Sequence, residues 1–342
     1  MSKRWKLAAV ILVILIAAAG IGGFIFLRSM QSMMGGKVEL SEPHTQHEGE
    51  DENEGSTVYM TEEITPEALM KIYGALGTEL EGDNIAVKLS TGEPPASNYL
   101  DPKLIKDLVQ SVNGTIVECN TAYGGSRTET AMHYQVAKDH GFNDIAEVVI
   151  MDEDGSTTIP VEGGTHLKEN YVGAHFPEYD GFLVLSHFKG HAMAGFGGAI
   201  KNISIGIGSA EGKCLIHTAG ESHDSPWGGE QNPFLESMAE AGKSVVDSLD
   251  GNILYISVMN HLSIDCDCDG NPAEPDIHDI GILASSDPVA LDQACVDLIY
   301  QAEGNETFVN RMEDRNAEHV LEHGEKIGLG SRSYHLVNID GK

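Results

Sequence analysis

An α/β body with parallel or mixed sheets flanked by helices is the fold class this 342-residue sequence predicts. Short apolar, β-branched-rich runs at 84–89, 115–118, 182–185 and 253–259 alternate with stretches of helical spacing. Several of those runs end on glycine-rich or polar turns, where open α/β sheets hold their ligands. Nothing recurs at a period of about 20 to 50 residues, which excludes a solenoid.

In chain order, Thr65 caps a helix over 66–76, and NIAVKL at 84–89 is a strand followed by the loop 92–97. Asp101-Pro102 opens a helix running to Val112, and the strand 115–118 leads into the loop NTAYGGSR at 120–127. A helix over 128–140 and a strand over 147–151 follow, then a variable segment, the strand 182–185 and a glycine-rich loop. A helix over 233–249, the strand 253–259, an acidic loop and the strand 280–284 continue the alternation. Asp287 caps the next helix, 289–300, whose apolar side carries Cys295 as buried filler.

The pattern divides the chain into three parts. Residues 1–28 carry a basic flank (Lys3, Arg4, Lys6) and the uninterrupted apolar run 7–27. At about 1.5 Å per residue this run spans about 30 Å, so it reads as a single uncleaved membrane helix with the body on the extracytoplasmic side of the cell membrane. Residues 29–57 read as a disordered acidic linker, in which His44 and His47 are solvated polar residues. Residues 58–342 form the body, expected as two lobes at roughly 58–220 and 233–342. The formal net charge of −32 excludes nucleic acid as a partner and leaves a small-molecule ligand.

Two segments carry candidate chemistry. The first, 186–217, places His187, His191 and His217 with Lys201 and Asn202 among Gly195, Gly197 and Gly198. Imidazoles serve proton transfer or metal ligation, and a lysine beside a glycine turn can hold an oxyanion or act as a nucleophile. Its glycine spacing is not that of a phosphate loop, so ATP binding is not expected. The second segment places Cys266 and Cys268 around Asp267. C-x-C is shorter than the C-x-x-C redox spacing, yet two thiolates can bind zinc, iron or nickel. The five cysteines are too few and odd in number for a disulfide framework.

SHFKGHAMAGFGGAIKN, CDCDGN and DIGILASSDPVALDQACVDLI resemble the family called domain of unknown function 362, over roughly 84–300. Members often carry an inserted ferredoxin-like module. This chain has no cysteine run to match it, so no iron-sulfur cluster is expected. More distantly, the order His191, Ala194-Gly195-Phe196-Gly197-Gly198, Lys201, Gly206, His217 is similar to the lactate racemase family. That resemblance implies a lactate-racemase-like architecture and a nickel-pincer nucleotide attached to Lys201, with His217 as nickel ligand and His191 as acid/base. It also implies phosphate binding by the loop Tyr123, Gly124, Gly125, Ser126 and Arg127. Where those racemases place a second proton-transfer histidine, this chain has Asp152, the remaining catalytic candidate, and Cys266 and Cys268 have no counterpart. The expected function is a metal- or metal-cofactor-dependent enzyme of racemase, epimerase or oxidoreductase type acting on a small oxyanion such as a 2-hydroxy acid. The alternatives are a redox accessory using Cys266 and Cys268, or a binding protein for a metal or small ligand.

Overall fold

Four helices begin where the preceding residue supplies a side-chain acceptor for backbone N–H groups that the helix itself leaves unpaired. Thr65 Oγ1 accepts from Ala68 N, Asp101 from Lys103 N, Ser209 from Gly212 N, and Asp287 from both Val289 N and Ala290 N. The structure is a computed structural model and describes residues 44–49 and 55–341. The elements are β1 (Ser56–Thr61), α1 (Pro66–Ala75), β2 (Ile85–Lys88), α2 (Pro102–Ser111), β3 (Thr115–Glu118), α3 (Thr130–Asp139) and β4 (Val148–Ile150). A hairpin of β5 (Ser156–Pro160) and β6 (Glu169–Gly173) precedes β7 (Gly181–His187). The short pair β8 (Lys189–His191) and β9 (Gly195–Gly197) leads to α4 (Ala199–Ile203), α5 (Ala210–His217) and α6 (Gln231–Ser248). The chain closes with β10 (Ile253–Met259), β11 (Gly281–Ser285), α7 (Pro288–Gln301), α8 (Glu306–Asp314), α9 (His319–Ile327) and β12 (Tyr334–Asn338).

One eight-stranded sheet runs in the order β12-β1-β11-β10-β7-β2-β3-β4. The five strands from β10 to β4 are mutually parallel, while β11 is antiparallel to both β10 and β1. Alternate side chains of each strand enter opposite cores. Phe182 and Val184 join Phe234, Met238 and Val289 on one face, and Leu183 and Leu185 join Leu69, Ile105 and Leu108 on the other. With helices on both faces, both sides of the central strands are apolar, as a buried parallel sheet requires.

Segments 58–220 and 233–342 do not separate into lobes. β10 lies between β7 and β11, so strands from both halves share one sheet and the described body is one compact unit. Residues 44–49, expected within a disordered linker, lie against the body. The His44 ring stacks on Tyr300 at 3.7 Å, His47 N donates to Asp297 Oδ2 at 2.9 Å, and Gly49 N donates to Tyr334 O at 2.7 Å. The apolar run 7–27 lies outside the described residues, and no helix within them is long and apolar enough to cross a membrane.

Candidate functional site

Along the sheet, β2, β3 and β4 follow one another in one direction, whereas β7 and β10 are added on the other side of β2. Crossovers therefore diverge between β2 and β7, and a crevice opens beyond the carboxyl ends of those strands. Lys88 ends β2, Glu118 ends β3, and Ser186 and His187 end β7. All four line one cleft.

Both candidate segments meet in this cleft. Lys189, Gly197, Gly198, Lys201 and Asn202 come from the first, and Cys266, Asp267 and Cys268 from the second. Asp267 joins them: its carboxylate accepts from His187 Nδ1 at 2.7 Å and from Lys189 Nζ at 2.8 Å, and its carbonyl accepts from Glu93 N at 2.8 Å. His187 Nε2 donates to Asn260 O at 2.6 Å. Burial opposes ionisation of Asp267, but Lys189 and His187 outweigh it and hold the acid well below the usual carboxylate range.

Opposite lies a second buried network. Glu118 accepts from Thr91 N at 2.7 Å, Arg127 Nη1 at 3.2 Å and Lys88 Nζ at 3.3 Å. Burial again works against the charge, and Lys88, His133 and Arg127 overcome it, so Glu118 is held well below its ordinary range. Asn202 ties the network to the lysine helix, accepting from Lys88 Nζ at 3.1 Å and donating to Ser186 Oγ at 3.1 Å.

Asp292 positions α4. Its two carboxylate oxygens accept from Ala199 N at 2.7 Å and Ile200 N at 2.9 Å, and burial pushes its acid up to about 7. A side chain on Gly198 would collide with this carboxylate, so glycine there serves packing as well as the cleft. The result points Lys201 into the cleft without a hydrogen-bond or ion-pair partner among the described residues. Burial, with Lys189, Lys88 and Arg127 nearby, lowers its amine to about 7.

The histidines differ in what they can offer. His217 Nδ1 donates to Lys213 O at 2.7 Å, which leaves a lone pair on Nε2 suited to a metal or a proton. Burial, with Lys201 and Lys213 nearby, lowers its ring to about 4. His191 is set the other way. Its Nδ1 accepts from Met193 N at 3.2 Å and Ala194 N at 3.0 Å, so the neutral ring carries its proton on the other nitrogen. Burial, Lys201 and His217 keep this ring well below the usual histidine range. Neither His191 nor His217 lines the cleft directly. A ring nitrogen of His191 and the sulfurs of Cys266 and Cys268 lie within 4.8 Å of one another, a grouping that could hold a metal. The two sulfurs, however, are joined as a disulfide, contrary to the expected pair of thiolates, and in that state they are not thiolate ligands.

Other sequence candidates stand elsewhere. Asp152 accepts from Asn120 N at 2.8 Å and Ala210 N at 3.1 Å, holding the start of α5 outside the cleft lining. Gly124 and Gly125 are exposed, Ser126 N donates to Glu93, and of the loop 120–127 Thr121, Tyr123 and Arg127 reach the cleft. Gly195 has φ +83° and packs against Ala317, away from the cleft lining. Sequence reasoning missed Lys88, Glu118, Lys189 and Lys213. The available signal was a charged residue closing an otherwise apolar strand, in NIAVKL and TIVE.

Solved structures similar to this chain include two at low identity. One is the lactate racemase apoprotein from Thermoanaerobacterium thermosaccharolyticum, at 14% identity and a TM-score of 0.42, covering 70% of this chain and 56% of that one. The other is a crystal structure of a Thermotoga maritima protein, at 14% identity and a TM-score of 0.38, covering 76% and 58%. The chain thus spans less than two thirds of either. No curated protein matches it. The similarity expected over 84–300 is found over 85–297, where the family described as Domain of unknown function (DUF362) matches, and the chain belongs to that family.

Proposed function

We propose that the cleft is the active site of an enzyme acting on a small oxyanion, of which a 2-hydroxy acid is an example. One observation carries the reading. A chain of formal charge −32 gathers Lys88, Arg127, Lys189, Lys201 and Lys213 around one cleft whose lining carboxylates are Glu118 and Asp267. Each carboxylate is already paired, so the surplus positive charge awaits an anionic ligand. Lys201, with its amine near neutrality, is the group proposed to meet the ligand, as a cation below about pH 7 and as a base or nucleophile above it.

The same residues suit a phosphate-bearing metal cofactor. Arg127 and the lysines would hold phosphate, His217 would offer its Nε2 lone pair to a divalent metal such as nickel, zinc or iron, and Lys201 would serve as covalent anchor. Such a metal would act as an electron-accepting centre. His191 is proposed as a hydrogen-bond donor, since its Nδ1 lone pair is already engaged. An intact-mass adduct on protein from its native host, absent in Lys201→Met, is expected if a cofactor is anchored there.

Thermal-shift titration with lactate, oxalate and phosphate tests the reading. The sign follows from Lys201: its positive charge is lost as pH rises through about 7, so anion affinity falls roughly tenfold between pH 6 and pH 8. Lys201→Met is expected to bind weakly and with that pH dependence removed. Binding by the natural protein that does not change with pH would sink the role given to Lys201.

We also propose that residues 7–27 anchor the chain in the cell membrane with the body outside, on the strength of the apolar run and its basic flank. Protease added to intact cells is then expected to digest the body. Protection of the body would reverse the orientation.

A further inference from the structure

Cys266 and Cys268 are bonded to each other with a sequence separation of 2. A structural disulfide stabilises by closing a long loop of the unfolded chain, and a link this short closes almost none. The segment has no need of it. Asp267 is gripped by His187 and Lys189, Glu93 N holds its carbonyl, Asp269 N donates to Cys266 O at 2.9 Å, and Ala96 N donates to Gly270 O at 3.1 Å. The bond therefore lies in the wall of a cation-lined cleft while stapling nothing.

We propose that Cys266–Cys268 is a redox-active pair that exchanges with thiols bearing an anionic group. The preference for an anion rests on the oxyanion reading of the cleft, whereas the exchange itself does not. Thiolates form and leave readily beside positive charge and N–H donors. Lys189, Lys201 and Arg127 line the same cleft, and a ring nitrogen of His191 is within 4.8 Å of both sulfurs. Because backbone N–H groups occupy His191 Nδ1, the other nitrogen presents its proton as a hydrogen-bond donor. Cys119, in the same cleft, is the contrast: its thiol donates to Ile207 O at 3.3 Å, and burial pushes it up to about 12. Cys214 and Cys295 are buried.

In the exchange, the thiolate of one incoming thiol attacks a sulfur of the pair. The S–S bond breaks and the second cysteine leaves as a thiolate. Another incoming thiolate then attacks the outer sulfur of the mixed disulfide, releasing the two small thiols as their own disulfide. Two electrons have passed to the pair, and both cysteines take up protons from solvent.

The full-length native protein is treated with 2-mercaptoethanesulfonate or with cationic cysteamine, then alkylated and mapped by mass spectrometry. Two new alkylation sites are expected, Cys266 and Cys268, with Cys119, Cys214 and Cys295 labelled only after denaturation. The sulfonate is expected to react roughly tenfold faster per thiolate. Cys266→Ser is expected to abolish the exchange and keep its melting temperature. No labelling of the native pair, or a collapse of stability in Cys266→Ser, would overturn the redox assignment while leaving the oxyanion reading intact. Equal rates for the two thiols, in protein that still binds oxyanions, would overturn the anionic specificity.

Discussion

Glu118→Ala is expected to lower stability by about 3–5 kcal/mol in urea unfolding, because it leaves the buried Lys88 without its carboxylate counter-ion and Arg127 with Glu93 alone. Lys88 and Arg127 both reach Glu118, at 3.3 Å and 3.2 Å, and Thr91 also loses its acceptor. Glu118→Gln keeps the shape and one acceptor oxygen, so its loss should be smaller. pH separates charge from packing. Glu118 is depressed in the folded state, so the stability it contributes is complete above the unfolded value near 4.5 and drains away as pH falls toward the folded value. The natural protein and Glu118→Gln should thus converge in stability on acidification. A constant gap between them would mean that the carboxylate acts through shape alone.

Gly190→Ala is the second large effect, expected at about 3 kcal/mol together with loss of oxyanion binding. Gly190 N donates to Ser263 O at 2.8 Å, and a methyl group at Gly190 would collide with the backbone of Ile264. Backbone cannot rotate aside as a flexible side chain does, so the loop carrying Cys266, Asp267 and Cys268 must move off. Gly124→Ala is the matched control: nothing lies within 4 Å of the added atom, and a change below about 0.5 kcal/mol is expected. Should Gly190→Ala bind oxyanions as the natural protein does, the two segments need not touch for the cleft to work.

Periodicity made the central strands and most helices readable, because a side chain's direction there is set by local geometry. The run 182–185 and β7, or 253–259 and β10, coincide closely for that reason. β5 and β6 escaped notice because their outward positions are polar and the hairpin has little apolar pattern. The segments at His187 and Cys266 were legible as chemistry, but their meeting was not, since it depends on β7 and β10 lying side by side. Lys88 and Glu118 were hidden for a related reason. A charged residue closing an apolar strand reads as the strand's exposed end, and only the neighbouring strand shows that it is buried and paired. Docking of residues 44–49 rests on a histidine stacked over Tyr300, a contact no linker composition announces.

The place of β1 in the sheet sets an order of assembly. β1 pairs with β11 and β12 on either side, and its cross-links to those regions span 228 residues at Ser285–Thr57 and 279 at Thr61–Asp340. During synthesis, β2, β3 and β4 can pair as they emerge, whereas β1, made before them, has neither neighbour until the chain is nearly complete. Its apolar residues Val58 and Met60, buried in the finished body, lack both neighbouring strands for that interval, so the first strand of the described body is the one completed last.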